Sequence, residues 1–196
     1  MFWLILVIVV WGVVHSIMAS LGFKNLLQRT FGDGVMRFYR LLYNVFSALS
    51  FFPILYMMVV LPNRDLYQVS SPWNYLMLVG QGLSVLMLII AVLQTDTLAF
   101  IGLRQIVTDD ENGKLVTDGL YRFIRHPLYT FGLLILWLTP SMTINSLIVY
   151  ISLTIYILVG AYFEERKLLR VFGQEYADYK AATPMLIPGL KFGGNK

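Results

Sequence analysis

The chain has 196 residues, of which 58% are hydrophobic, 15% aromatic and only 13% charged, with a formal net charge of +4. That balance lies outside the range of water-soluble domains and places the chain in a membrane. No cysteine is present, which removes disulfides, thiolate metal sites, iron–sulfur clusters and cysteine nucleophiles together.

Apolar runs are measured against the roughly 20 residues that cross a bilayer as helix. The first is residues 1–18, broken only by His15 and Ser16. It lacks a basic leading region and a small-x-small cleavage site, so it reads as a retained helix and not a signal peptide. His15, near the end of this helix, is expected to hydrogen-bond to a neighbouring helix, with a place lining a functional cavity as the alternative. Residues 41–61 form the second run, which contains Asn44 and a kinking Pro53. Residues 73–93 form the third, where Gly80 and Gly82 read as points of close helix packing. Residues 127–139 are apolar but short, and residues 144–163 make the last long run. The expectation is an all-α integral membrane protein of about five segments, the short fourth forming a hairpin with the fifth. A cytoplasmic amphipathic helix follows over 164–182, with Leu168, Leu169, Phe172, Tyr176 and Tyr179 on one side and an interruption near Gly173. The whole chain reads as one membrane domain, with a three-helix part over 1–93 and a more polar part over 94–196 where the chemistry is expected.

Basic residues orient the segments, because Lys and Arg in short loops stay on the cytoplasmic side. Of the 15, all but Arg64 fall in the first loop, in loop 94–126 or in the tail after 163. This places the N-terminus outside and the C-terminus inside, and makes loop and tail one cytoplasmic mouth in an inner or plasma membrane. The positive charge is accounted for by this topology and by contact with anionic lipids. It gives no reason to expect nucleic acid.

The stretch "GLYRFIRHPLYTFGLL", residues 119–134, sets two arginines, a histidine and a proline ahead of the short apolar run. Pro127 suits the first turn of a helix, so the helix starts there. Its N-terminus, flanked by Arg122, Arg125 and His126, is an anion-binding arrangement. At the end of the last long run sit Glu164 and Glu165, costly near hydrocarbon unless they have partners or a ligand. "TDDENGKLVTDG", residues 108–119, has turn composition. HExxH, P-loop and GxSxG motifs are all missing, as are clusters with metal-ligand spacing.

"KLVTDGLYRFIRHPLY", followed by "EERKLLRVFGQEYADYKAATPMLIP", resembles the signature of the isoprenylcysteine carboxyl methyltransferase and phosphatidylethanolamine methyltransferase superfamily of integral membrane enzymes. The resemblance implies S-adenosylmethionine as cofactor. By position it implies a cofactor-binding set of Gln105, Lys114, Leu115, Val116, Tyr121, His126, Pro127, Leu128, Tyr129 and Glu164, with Pro184 to Pro188 closing over it. Arg125, His126, Glu164 and Glu165 stand as the catalytic candidates, and no metal is implied. Methyl transfer from a sulfonium needs neither metal nor covalent nucleophile, which agrees with the groups this chain lacks.

Carboxyl-methylating members of that superfamily carry an arginine where this chain has Gly160, which weakens that reading. "HSIMAS" at 15–20, "FIGLRQI" at 100–106 and "LTPSMT" at 138–143 are similar instead to the methanethiol S-methyltransferase branch. The acceptor is then a small or lipophilic thiol arriving through the bilayer. The other readings are an isoprenylcysteine-type carboxyl or lipid-amine methyltransferase, an NADPH-dependent enzyme like the sterol reductases, and a non-catalytic membrane accessory protein. Leu128, in place of the reductases' asparagine, counts against the second. The oligomeric state is not legible.

Overall fold

A computed structural model describes residues 1–107 and 114–190. The chain is mostly helical, and four helices are long and apolar enough to cross a membrane: α1 (Phe2–Ala19), α3 (Asp33–Val60), α4 (Trp73–Gln94) and α8 (Ile144–Phe172). A shorter apolar helix, α7, covers Pro127–Trp137. Large apolar side chains stay exposed along the long helices, Val59 at 83% and Leu76 at 63% among them. Such surfaces are stable only against lipid.

The residues cluster into two compact units. The first comprises residues 1–64, 96–113 and 143–149. In it α1 packs on α3 over Leu4, Ile8 and Ile54, all buried. Trp11 Nε1 donates to Ser50 Oγ at 3.1 Å, and Tyr43 Oη lies 2.6 Å from His15 Nε2. His15 thus bonds to the neighbouring helix as its position suggested. Residues 19–40, read as a loop, instead form α2 (Leu21–Phe31) and the first two turns of α3. Ser20 caps α2 by accepting from Phe23 N–H at 3.2 Å. The hydropathy pattern locates the span and says nothing of how far the helix continues into water, which is why α3 starts well before Leu41. It then runs through Pro53 without a break.

Two short helices, α5 (Thr97–Ile101) and α6 (Arg104–Val107), complete this unit. Gly102 ends α5 at φ +99, and a Cβ there would fall 2.5 Å from Leu41 N. Only glycine combines that left-handed backbone with so close an approach. Asn145, at the start of α8 and almost fully buried, donates its amide toward the carbonyls of Met58 (3.4 Å) and Leu61 (3.3 Å) at the end of α3.

The second unit comprises residues 65–95, 114–142 and 150–196. Its frame is α4 against α7. A Cβ on Gly80 would stand 3.0 Å from Leu138 Cδ1, so this glycine is a packing point, while Gly82 has nothing within 4 Å. Gln81 Nε2 donates to Ile135 O at 2.7 Å. A two-stranded ribbon, which the hydropathy pattern did not show, pairs β1 (Asp65–Gln68) with β2 (Ser141–Thr143). Residues 119–140 therefore run the length of α4 in the opposite direction, from Gln94 at its C-terminal end to the ribbon at its N-terminal end. The last long helix, α8, does not stop at Phe163 but carries Glu164 and Glu165 inside it and ends at Phe172. Gly173 at φ +56 separates it from α9 (Gln174–Ala182). Along 164–182 the side chains of Leu168, Leu169, Phe172, Tyr176 and Tyr179 are the buried or half-buried apolar set, as their spacing suggested.

Candidate functional site

The site is assembled entirely within the second unit, from the turn into α7, the end of α8, α9 and the segment after it. Gly119 makes the first bend, at φ +62. A side chain there would meet Gln94 at 2.4 Å, and the neighbouring Leu120 N–H donates to Gln94 Oε1 at 2.9 Å. The end of α4 therefore fixes where the next residues start. A single 3-10 turn, Gly119–Arg122, leads to His126, which is the N-cap of α7 with Pro127 at the first helical position. The His126 carbonyl accepts from Tyr129 N–H at 3.1 Å and Thr130 N–H at 3.0 Å.

The segment after α9 lies along this turn. Arg125 N–H donates to Pro184 O at 2.9 Å, His126 N–H to Met185 O at 3.1 Å, and Thr130 Oγ1 to Leu186 O at 2.8 Å. Three successive carbonyls of the C-terminal stretch are thereby spent on the start of α7, two of them on backbone donors that a buried helix entry would otherwise leave unpaired and the third on a side-chain hydroxyl.

The paired glutamates part company. Glu165 is buried and fully engaged: its Oε1 accepts from Arg125 Nε at 2.8 Å and Nη2 at 2.6 Å, its Oε2 pairs with Lys180 Nζ at 2.7 Å, and His126 Nε2 stands 3.3 Å away. Arg125 also gives Nη1 to the carbonyls of Lys180 and Thr183. This is a charge network closed on itself, with Arg125, His126 and Glu165 side chains each less than a tenth exposed. Glu164 faces the other way. Its side chain is 44% exposed, accepts the Tyr129 hydroxyl at 2.6 Å and stands 3.7 Å from His126 Nδ1. The Tyr129 ring stacks on His126, centroids 5.1 Å apart and planes 14° from parallel.

Tyrosines line the surroundings. Tyr179 Oη donates to Tyr121 O at 2.6 Å, tying α9 to the 3-10 turn. Burial, with the Glu164 charge second, pushes the Tyr121 phenol up to about 12. Burial likewise pushes Tyr179 up to about 12 and raises buried Tyr176. These phenols are neutral near neutral pH, and the buried Tyr176 hydroxyl has no hydrogen-bond partner among the described residues.

Of the residues singled out from the sequence, the structure brings together Arg125, His126, Pro127, Tyr129, Glu164 and Glu165, with Tyr121 on the turn before them. Leu128 is half-buried in the first turn of α7, and Lys114, Leu115 and Val116 form the extended lead-in to the 3-10 turn, with Lys114 exposed. Gln105 belongs to the first unit and its side chain lies outside the described residues, as does the 108–113 part of the turn-rich loop. Sequence reasoning missed Lys180 and Gln94. The break at Gly173 was the available signal for Lys180, since a helical corner there folds α9 back toward Glu165. Nothing in the pattern marks Gln94, which looks like any polar residue at a helix end.

Comparison with known proteins identifies the family. The family model described as phospholipid methyltransferase matches residues 75–175. Methanethiol S-methyltransferase of Crocosphaera subtropica is 30% identical over 191 residues, covering 91% of this chain and 71% of its own length. Methanethiol S-methyltransferase 2 of Bradyrhizobium diazoefficiens is 30% identical over 191 residues, covering 95% and 72%. The Pseudomonas deceptionensis methanethiol S-methyltransferase is 40% identical over 80 residues, or 41% of this chain and 30% of that one. No solved structure gives a significant match. The match over 75–175 takes in α4, the RHP turn and both glutamates, and with the two relatives aligned over nearly the whole chain it shows that this protein belongs to the phospholipid methyltransferase family and is a membrane methyltransferase.

Proposed function

We propose that the protein transfers a methyl group from S-adenosylmethionine to a small or lipophilic thiol that enters from the bilayer. The observation that carries the donor site is the division of labour between the glutamates. Glu165 is consumed by Arg125, Lys180 and His126, whereas Glu164 presents an exposed carboxylate held by one tyrosine hydroxyl. A carboxylate fixed beside stacked aromatic faces fits a sulfonium or the ammonium of the same molecule. Bound there, S-adenosylmethionine supplies a methyl group already activated by its sulfonium charge.

The residues of the chain do the rest. Tyr129 orients Glu164 by its hydrogen bond and takes its own ring position from the stack on His126. His126 is fixed between the two carboxylates and holds the start of α7 against the C-terminal stretch. Pro127, Leu128, Leu115 and Val116 supply apolar cover that keeps water from the donor. Arg125 and Glu165, which face each other, act by holding this frame. Most of the rate is then alignment of acceptor and methyl in a dry site.

A neutral acceptor is supported by Gly160, one helical turn before Glu164. A Cβ there meets nothing within 4 Å, so the position offers open space and no cation for a substrate carboxylate. The names of the relatives, which act on methanethiol, point the same way.

The topology we propose has α1, α3, α4, α7 and α8 crossing the bilayer, with the N-terminus outside and the C-terminus and donor site cytoplasmic, in an inner or plasma membrane. Residues 119–140 running the full length of α4 support a crossing α7, and the distribution of basic residues supports the orientation. The test is transfer of a radiolabelled methyl group by the purified protein in detergent to methanethiol, to a prenylated cysteine and to phosphatidylethanolamine. Label on the thiol alone supports the reading, and label on either of the others without the thiol overturns its acceptor half.

A further inference from the structure

The end of α8 carries a second cluster of charge that the methyl-transfer reading does not use. Arg166 and Arg170 lie four residues apart, on one helical face, and with Phe163 and Leu169 they line an open recess of about 420 Å³ along that face. Both guanidinium groups point back along the helix. Arg166 lies against the Tyr162 ring, 5.7 Å from its centroid, and Arg170 Nε donates to Arg166 O at 3.3 Å. This direction is the natural one for helical side chains, but at the C-terminal end of a membrane-spanning helix it turns the cations toward the hydrocarbon and away from water. A merely snorkelling arginine would reach the other way.

Among the described residues no carboxylate pairs with either arginine: Glu165 is taken by Arg125 and Lys180, and Glu164 by Tyr129. Two cations directed toward the bilayer, with exposed Phe163 and Tyr162 beside them, need an anion that itself sits at the boundary and continues into apolar chains. The geometry points to a binding site for one anionic phospholipid, its phosphate held by Arg166 and Arg170 and its acyl chains laid along Tyr162 and Phe163. Guanidinium forks suit phosphate oxygens, and juxtamembrane cations attract anionic headgroups. The site lies one residue past Glu165, so the lipid steadies the end of α8 on which both glutamates are mounted. The inference rests on α8 crossing the bilayer and not on the chemistry of the methyl donor.

The test uses full-length protein in nanodiscs of phosphatidylcholine with a minor fraction of phosphatidylglycerol, released and weighed by native mass spectrometry. Wild type is expected to retain phosphatidylglycerol over phosphatidylcholine. Arg166→Gln with Arg170→Gln is expected to lose that preference at least fivefold. Lys167→Gln, which removes a charge from the same turn but does not line the recess, is expected to keep it. Retention by the double variant equal to wild type, or loss in Lys167→Gln as large as in the double variant, would overturn the site. Displacement of the lipid by millimolar inorganic phosphate would overturn the lipid assignment in favour of a free-anion site. The preference is measured without methyl donor, so failure of the methyltransferase reading leaves this outcome unaffected.

Discussion

The Tyr129 hydroxyl and the Glu164 carboxylate meet at 2.6 Å across the gap between α7 and α8, while the adjacent Glu165 turns into the protein toward Arg125. Neighbouring residues on a helix point about 100° apart, so one doublet serves two environments. The consequence is that the two glutamates should fail in different ways.

Glu164→Gln is expected to leave the melting temperature within a few degrees of wild type and to weaken donor binding by about two orders of magnitude, since it removes the exposed charge proposed to hold the cationic donor. Tyr129→Phe should cost about tenfold, because the carboxylate stays but loses the bond that orients it. Equilibrium binding and thermal melting on the same detergent samples separate the two effects.

Glu165→Ala should behave as a folding defect. It leaves Arg125 and Lys180 facing each other without their shared carboxylate, and breaking a buried pair on one side costs about 3–5 kcal/mol. A fall in melting temperature of many degrees, partly recovered by also replacing Lys180 with methionine, checks this. A melting curve like that of wild type would show that the network is not closed in the way the distances indicate.

Glycine substitutions test the local backbone. Gly102→Ala places a Cβ 2.5 Å from Leu41 N at φ +99, with no flexible side chain to yield, and should destabilise the first unit by about 2 kcal/mol or more. Gly119→Ala meets Gln94 at 2.4 Å and also has positive φ, so it should displace the turn that leads to His126 and lower activity more than stability. Gly82→Ala meets nothing within 4 Å inside a helix, and should be neutral or stabilising by up to about 1 kcal/mol.

Alkaline pH offers a further check. The Tyr179 phenol is held up to about 12 against an ordinary value of 10.0. A group whose folded value is raised contributes stability that is complete below its unfolded value and is lost as pH rises through the folded one. Melting temperature should therefore be flat on this account up to pH 10 and decline toward pH 12, and Tyr179→Phe, which lacks both the ionisation and the bond to Tyr121 O, should show a lower plateau and a shallower decline. Thermal melting across that range, with tyrosinate absorbance followed in parallel, measures it.

What the residues disclosed in advance follows from which forces are local. The helices at 2–19, 73–94 and 127–137 were legible because a run of apolar side chains and a proline at the first helical position are properties of the chain itself. The break at Gly173 was legible for the same reason. The ribbon of β1 and β2 was not, since it depends on two short polar segments some 70 residues apart being delivered to one end of α4. That Arg125, His126 and the glutamates share one end of the bundle was legible from the distribution of charge, while the place of Tyr129 beside them came through the resemblance of the two motifs. The resemblance set Glu164 apart, but the burial of Glu165 among Arg125, His126 and Lys180 was not legible, because the rotation that buries it is set by how α8 packs, and Lys180 reaches it only after the chain has turned at Gly173.

On this reading Glu164 marks the donor site and Glu165 a structural one. Isothermal titration of the detergent-purified protein with S-adenosylhomocysteine tests it most directly, with NADPH as a parallel titrant and Glu164→Ala beside the wild type. Saturable binding of S-adenosylhomocysteine to the wild type is expected, with loss of that binding in a folded Glu164→Ala variant and no response to NADPH. Undiminished binding in Glu164→Ala, or binding of NADPH alone, would contradict it.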